Sequence, residues 1–288
     1  MEKQGIFTKK PHKLLILVFL LILTVFPTGS QKPADSRQKL RLTHFLSFPL
    51  INEEFKKAVS DLQNEILATL DEPEREKLVL NSPDIMHITL SVLNLENADK
   101  KQKALELFEK QQEQAKKFLE NTKVKISLGG LDFFGYHEPK PSSKIEKPVE
   151  KPLESKPKEE EKVEEVKKPQ QRKKTTGVIF LDVEEDEHMH KLRDLANIWL
   201  KEYVDQGIIL KENLKEMNLH HNVEKNLYHA EKYHVTLFRF MEGTDLSKVI
   251  EKYKNLKFGE THGQSLDLSV MGTFDETKFY KAEKKHVF

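Results

Sequence analysis

One five-residue pattern occurs twice in this 288-residue chain. Residues 86–90 read Met-His-Ile-Thr-Leu, and residues 233–237 read Tyr-His-Val-Thr-Leu. Both are apolar-polar alternations with β-branched residues, the signature of a half-buried strand. Alternate side chains of a strand share a face. His87 and Thr89 therefore point one way, and Met86, Ile88 and Leu90 the other. His234 and Thr236 share a face likewise, with Val235 and Leu237 opposite. One such strand is commonplace; two copies, one in each half, predict a fold built twice around the same strand.

The flanking sequence repeats in the same order. Residues 42–50 read as a strand ended by Pro49. Asn52 is placed to cap a helix with Glu53 and Glu54 in its first turn. Phe55, Val59, Leu62, Ile66 and Leu70 give that helix one apolar face. The first motif strand, about 85–93, comes next. A helix over about 98–120 should bury Leu105, Phe108, Ala115, Phe118 and Leu119, and residues 123–128 alternate as a strand. The second half offers a strand at 177–183, then a helix at about 186–205 with Met189, Leu192, Leu195, Trp199 and Val204 inward. The second motif strand spans 232–240. A helix at 245–257 and a strand at 265–271 follow, with a further edge strand at 279–288. Each half thus reads strand, helix, motif strand, helix, strand, an α+β arrangement.

Between the halves the composition breaks. Residues 138–174 hold six of the twelve prolines amid Lys, Glu and Ser. A segment so poor in apolar residues cannot offset its ordering entropy, which predicts disorder. At the N-terminus, residues 14–26 are almost wholly apolar, with Lys9, Lys10 and Lys13 before them and Pro27-Thr28-Gly29-Ser30 after. This is the layout of a signal peptide over 1–30, leading through a polar linker, 31–41, to a domain over 42–288. It predicts the secretory pathway. An uncleaved membrane anchor through 14–26, mitochondrial membranes included, is the alternative, although the first arginine is Arg37, which fits a cleavable mitochondrial presequence poorly. The chain carries no cysteine and a net charge of +1, so thiolate chemistry and a global field for nucleic acid or anionic membranes are excluded.

The paired His-x-Thr strands resemble the 2H phosphoesterase superfamily. Their surroundings are most similar to the nuclear-localisation-signal (central) domain of A-kinase-anchoring proteins. The stretches that carry this are Thr43–Leu50, Met86–Leu90, Gly130–Gly135, Gly207–Leu210 and His234–Leu237. The resemblance implies a LigT-like fold: two pseudo-symmetric lobes, each an antiparallel sheet with helices on its outer face, around a central cleft. It implies that residues 138–174 are an insertion at a hairpin tip, because in the family the strand after Gly130–Gly135 returns at once. It further implies cleavage of nucleotide or short RNA-like oligonucleotide phosphodiesters, 2′,5′-linked or 2′,3′-cyclic.

The residue types suit that chemistry. Breaking a phosphodiester takes a base, an acid, and donors for the charged oxygens. Histidine serves either proton role near neutral pH. His87 and His234 are accordingly the expected acid-base pair, with Thr89 and Thr236 as phosphate donors. Which histidine is the base stays open. No acidic cluster suggests a metal, and no cofactor is expected. Phe133 and Phe134, in the glycine-flanked stretch, and Phe238, on the continuing motif face, are candidates to stack on a base. They could equally be core residues. His188-x-His190 and His220-His221 lack a ligand geometry, and His44 reads as structural. A monomer is expected, with no C-terminal amphipathic helix to dock a kinase subunit. A nucleotide-binding module without turnover and a structural subunit of a membrane assembly are the competing readings.

Overall fold

A computed structural model of the chain describes residues 40–120, 123–135 and 175–288. The signal or anchor segment 1–30, nearly all of the linker 31–41 and the insertion 138–174 lie outside the described residues. In chain order the elements are β1 (His44–Pro49), α1 (Glu53–Ala68), α2 (Glu72–Arg75), β2 (Leu78–Leu80), β3 (His87–Leu93), α3 (Ala98–Lys110), α4 (Gln112–Leu119), β4 (Val124–Phe134), β5 (Gly177–Val183), α5 (Glu187–Asp205), β6 (Leu219–Asn222), β7 (Leu227–Ala230), β8 (His234–Phe240), α6 (Ser247–Tyr253), β9 (Lys257–Gly263), β10 (Ser265–Phe274) and β11 (Tyr280–Val287).

The strands run β11-β10-β1-β3-β8-β5-β4-β9, with β2 added alongside β8, and every pairing is antiparallel. The two motif strands are neighbours, joined at Ile88 and Val235. They divide the sheet into a β11-β10-β1-β3 lobe and a β8-β5-β4-β9 lobe. The lobes are not the halves of the sequence. The strand closing each half crosses over: β4 pairs with β5, and β10 with β1. Each motif strand therefore sits in a lobe completed by the other half, which welds the two repeats into one unit. β4 and β5 pair out to Phe134 and Val178.

Asn52 caps α1 by accepting a hydrogen bond from Phe55 N, and Phe55, Val59, Leu62, Ile66 and Leu70 are all buried. The inward residues expected of α5 are likewise buried. The helix expected over 98–120 is two, broken at Gln111. Its buried stripe runs through Ala104, Leu107, Phe108, Ala115 and Leu119, while Leu105 is half-buried and Phe118 exposed. The cause is α5. Trp199 donates to the Phe108 carbonyl and Tyr203 to that of Ala104, and the small Ala104 lets the large rings approach. The polar stretch around His220 forms the hairpin β6–β7. Asn222 accepts from Lys225 N at its turn, and Asn226 takes the positive φ that asparagine tolerates.

The strand expected to end at 128 continues to Phe134. Gly130, at φ 65°, is the extra residue of a bulge against β5, so the strand passes through the glycines rather than breaking. On one face of the sheet Leu46, Phe48, Ile88, Leu131, Ile179, Leu181, Val235 and Leu268 meet the helices in the core. The other face carries the site. Among the described residues no helix is long and apolar enough to cross a membrane.

Candidate active site

His87, Thr89, His234 and Thr236 are each half-buried, between fully buried Ile88 and Leu90 on one strand and Val235 and Leu237 on the other. Period-two alternation thus puts all four polar side chains on the face away from the core. Ile88 is the register partner of Val235. Continuing that antiparallel register by one residue each way sets His87 opposite Thr236 and Thr89 opposite His234. Opposed residues in such a ladder have Cβ atoms about 5 Å apart and diagonal neighbours about 7–8 Å. The two imidazoles are the diagonal pair, and the charge of His234 acts on His87.

Both rings are held in one way. His87 Nδ1 is 2.7 Å from the Ile85 carbonyl, and His234 Nδ1 is 3.2 Å from that of Lys232. A carbonyl accepts, so each Nδ1 carries the hydrogen and each neutral ring presents a bare Nε2. His87 Nε2 lies 3.1 Å from the Thr89 hydroxyl. Burial pushes the His87 pKa down to about 4, opposed by the Ile85 hydrogen bond and reinforced by the charges of His234 and Arg239. His234 is also lowered, first by burial and then by the Lys232 charge, with Asp182 opposing. Asp182 is the register partner of His234 on β5 and shares Lys232 with Asp132, at 3.1 and 2.8 Å.

Directly after each threonine the ladder slips. Leu90 is the extra residue of β3 against β1, and Leu237 that of β8 against β5. Both are bulges, and each inverts the alternation that follows. Ser91 and Phe238 therefore turn inward beside the leucines, at 1% and 0% exposure. Phe238 is a core residue and not the stacking group expected of it. The next residues, Val92 and Arg239, turn outward instead. The Leu237 carbonyl at the bulge accepts from Gln63 Nε2 and Asn81 N, both at 3.0 Å, which fixes the kink. Arg239 is exposed, and its charge reaches both His87 and Tyr280. Uninterrupted alternation puts it on the wrong face, which is why sequence reasoning missed it.

Aromatic rings flank both histidines. Phe134, 42% exposed, lies edge-on to His234 at 5.2 Å, and Phe180 lies 4.8 Å from the same ring. Lys232 sits over Phe180. Phe133, one residue along, packs against the core on the opposite face. Around His87 stand Phe45 at 5.1 Å and Tyr280 at 5.3 Å. Phe180 and Tyr280 lie outside the stretches that carry the resemblance, and Phe45, within Thr43–Leu50, is not marked by alternation as a site residue; the sheet pairing brings all three to the histidines. Beyond Lys232 opens a cavity of about 560 Å³, bounded by Asp182, Glu185, Arg193 and Lys257, that neither histidine lines. Among the described residues no group of three His, Asp or Glu side chains is placed to hold a metal.

Residues 42–288 match the family described as the AKAP7 2'5' RNA ligase-like domain. The chain belongs to that family. It thereby falls in the 2H phosphoesterase superfamily. No curated protein matches it. Similar solved structures include TT0787 of Thermus thermophilus, with 14% identity and a TM-score of 0.46 over 85% of this chain and 97% of that one. A second is described as a phosphoesterase, with 13% identity and a TM-score of 0.44 over 86% of this chain and 99% of that one. A third is E. coli LigT complexed with 3'-AMP, with 12% identity and a TM-score of 0.44 over 86% of this chain and 98% of that one.

Proposed function

We propose that the chain cleaves nucleotide or oligonucleotide phosphodiesters, 2′,5′-linked or 2′,3′-cyclic, with its own side chains supplying every catalytic group. The observation that carries this is the matched pair of imidazoles. Each has Nδ1 tied to a carbonyl and Nε2 turned to the same face, where a phosphate set between them meets both.

His87 serves as the base. Its lowered pKa keeps it neutral, and Nε2 takes the proton of the attacking hydroxyl, a water or a neighbouring ribose oxygen. His234 in its protonated form, which the Asp182 charge favours against burial, gives its proton to the leaving oxygen. One P–O bond forms as the other breaks, and the two histidines exchange protonation states. Thr89, Thr236 and Arg239 meet the non-bridging oxygens, with Arg239 supplying a charged fork. These roles require no metal.

Purified protein incubated with 2′,5′-linked oligoadenylate and with a 2′,3′-cyclic-phosphate oligonucleotide tests the reading, with and without EDTA. Turnover of either substrate that survives the chelator supports it. Binding without turnover replaces it with a nucleotide-binding module, and no binding leaves a structural subunit. We place residues 1–30 as a signal peptide or signal anchor of the secretory pathway, with 14–26 as its apolar core; N-terminal sequencing of protein recovered from cells decides between removal and retention.

A further inference from the structure

Three phenylalanines are exposed among the described residues: Phe118, Phe134 and Phe274. One, Phe134, touches His234 directly, and another, Phe274, touches the Tyr280 ring that in turn meets His87. Phe134 ends β4 and Phe274 ends β10, the strands that close the two sequence halves. Phe134 lies tilted against Phe180 at 4.5 Å and 32° and meets His234 edge-on. Phe274, 52% exposed, lies tilted against Tyr280 at 5.1 Å and 32°, and Tyr280 meets His87 edge-on at 82°. The Tyr280 ring also packs against Phe45 at 4.9 Å, and buried Phe279 closes on His87 at 6.3 Å. The tip of the β10–β11 hairpin is thus held against the site with one ring left open to solvent. An exposed aromatic face costs solubility, and here one is in contact with His234 and another is one ring removed from His87.

Resting on the function proposed above, we infer that the Phe274–Tyr280 pair is a second ring-binding subsite, on the His87 side. The ligand class it takes is a linear internucleotide phosphodiester, with one nucleobase on Phe134 and the other on Phe274. Bases stack on phenylalanine with little regard to identity, so the clamp reads the presence of a ring on each side of the phosphate. A cyclic mononucleotide has one base and fills one platform.

The test is calorimetric titration of the full chain with two cleavage-resistant ligands of equal charge. One is a phosphorothioate-linked diadenylate. The other is the phosphorothioate methyl ester of adenylate, which keeps one ring. The diadenylate should bind about tenfold or more tightly, the usual scale for one stacked base. Phe274→Leu, which keeps an apolar side chain at an exposed position, should erase that advantage, and Phe274→Trp should keep it. Equal affinity in the wild type, or an advantage that survives Phe274→Leu, overturns the subsite. Cleavage of native diadenylate by the wild type, measured in parallel, reports separately on the catalytic reading: turnover with equal affinities overturns the subsite and leaves that reading standing.

Discussion

Ile88 of the first motif strand pairs with Val235 of the second, and both are fully buried. Their side chains face the core while the histidines and threonines on either side face the site. The hydrophobic contact that joins the lobes is therefore also the spacer that sets one imidazole against the other. Ile88→Ala should destabilise the fold by about 2–4 kcal/mol, the range for emptying a buried aliphatic site. It should also lower kcat/KM well below the folded fraction, because small displacements of positioned groups are costly in rate. Thermal melts and kinetics on one preparation check both. A stability loss with unaltered kcat/KM would show that the seam does not position the histidines.

His87→Ala and His234→Ala should each lower phosphodiester cleavage by about a hundredfold or more, the scale of a positioned acid or base. The double variant should be little worse than either single one, because base and acid act in one step. Thr89→Ala should be milder, since Thr236 and Arg239 remain. Single-turnover rates on oligoadenylate decide this. Multiplied effects in the double variant would mean that the histidines act independently.

Much of this is legible in the sequence, and the rest is hidden for identifiable reasons. Alternation around His87 and His234 yields the strands, the shared face and the four polar residues, because one face of each strand is buried and the phase cannot slip. Helical spacing yields α1 and α5 for the same reason. The reading fails where an extra residue enters a ladder. A bulge at Leu237 leaves no local trace, so alternation assigns Phe238 to the site and passes over Arg239. Gly130 likewise looks like a chain breaker when it is the left-handed residue of a bulge within β4. The crossover of β4 and β10 is out of reach, since periodicity says which face is buried but not which strand lies alongside. Tyr280 comes to His87 through the β10 crossover, because β11 pairs with β10, whereas Phe45 and Phe180 arrive on β1 and β5, the direct partners of the motif strands.

Activity should peak on the acid side of neutrality. The base must be neutral and the acid charged. Burial lowers His87 to about 4 and lowers His234 from its usual value of 6.5. In the free protein kcat/KM should rise as pH passes about 4, where His87 loses its proton, and fall as His234 loses its own below 6.5. Stability carries the same sign. The unfolded chain binds this His87 proton near 6.5 and the folded chain near 4, so stability falls as pH drops between those values. A pH–rate profile with its maximum above neutrality would overturn the assignment of base and acid.

Arg239 offers a test with two independent readouts. It faces the site because of the bulge at Leu237, and its charge helps to hold the His87 pKa down. Arg239→Ala should reduce kcat/KM by about tenfold to a hundredfold, the value of one charge-assisted contact to a phosphate oxygen. Arg239→Lys should recover part of the loss, since the ammonium keeps the charge but not the planar fork. The second readout is the acid limb of the pH profile. Removing a positive charge near His87 makes protonation easier, so in Arg239→Ala the limb should move to higher pH, and in Arg239→Lys it should stay near the wild-type position. A merely structural arginine could lower activity by loosening the site, but the lysine variant would then share the shifted limb or restore nothing. Unaltered kcat/KM together with an unmoved limb in Arg239→Ala would remove Arg239 from the site and, with it, the functional meaning of the bulge.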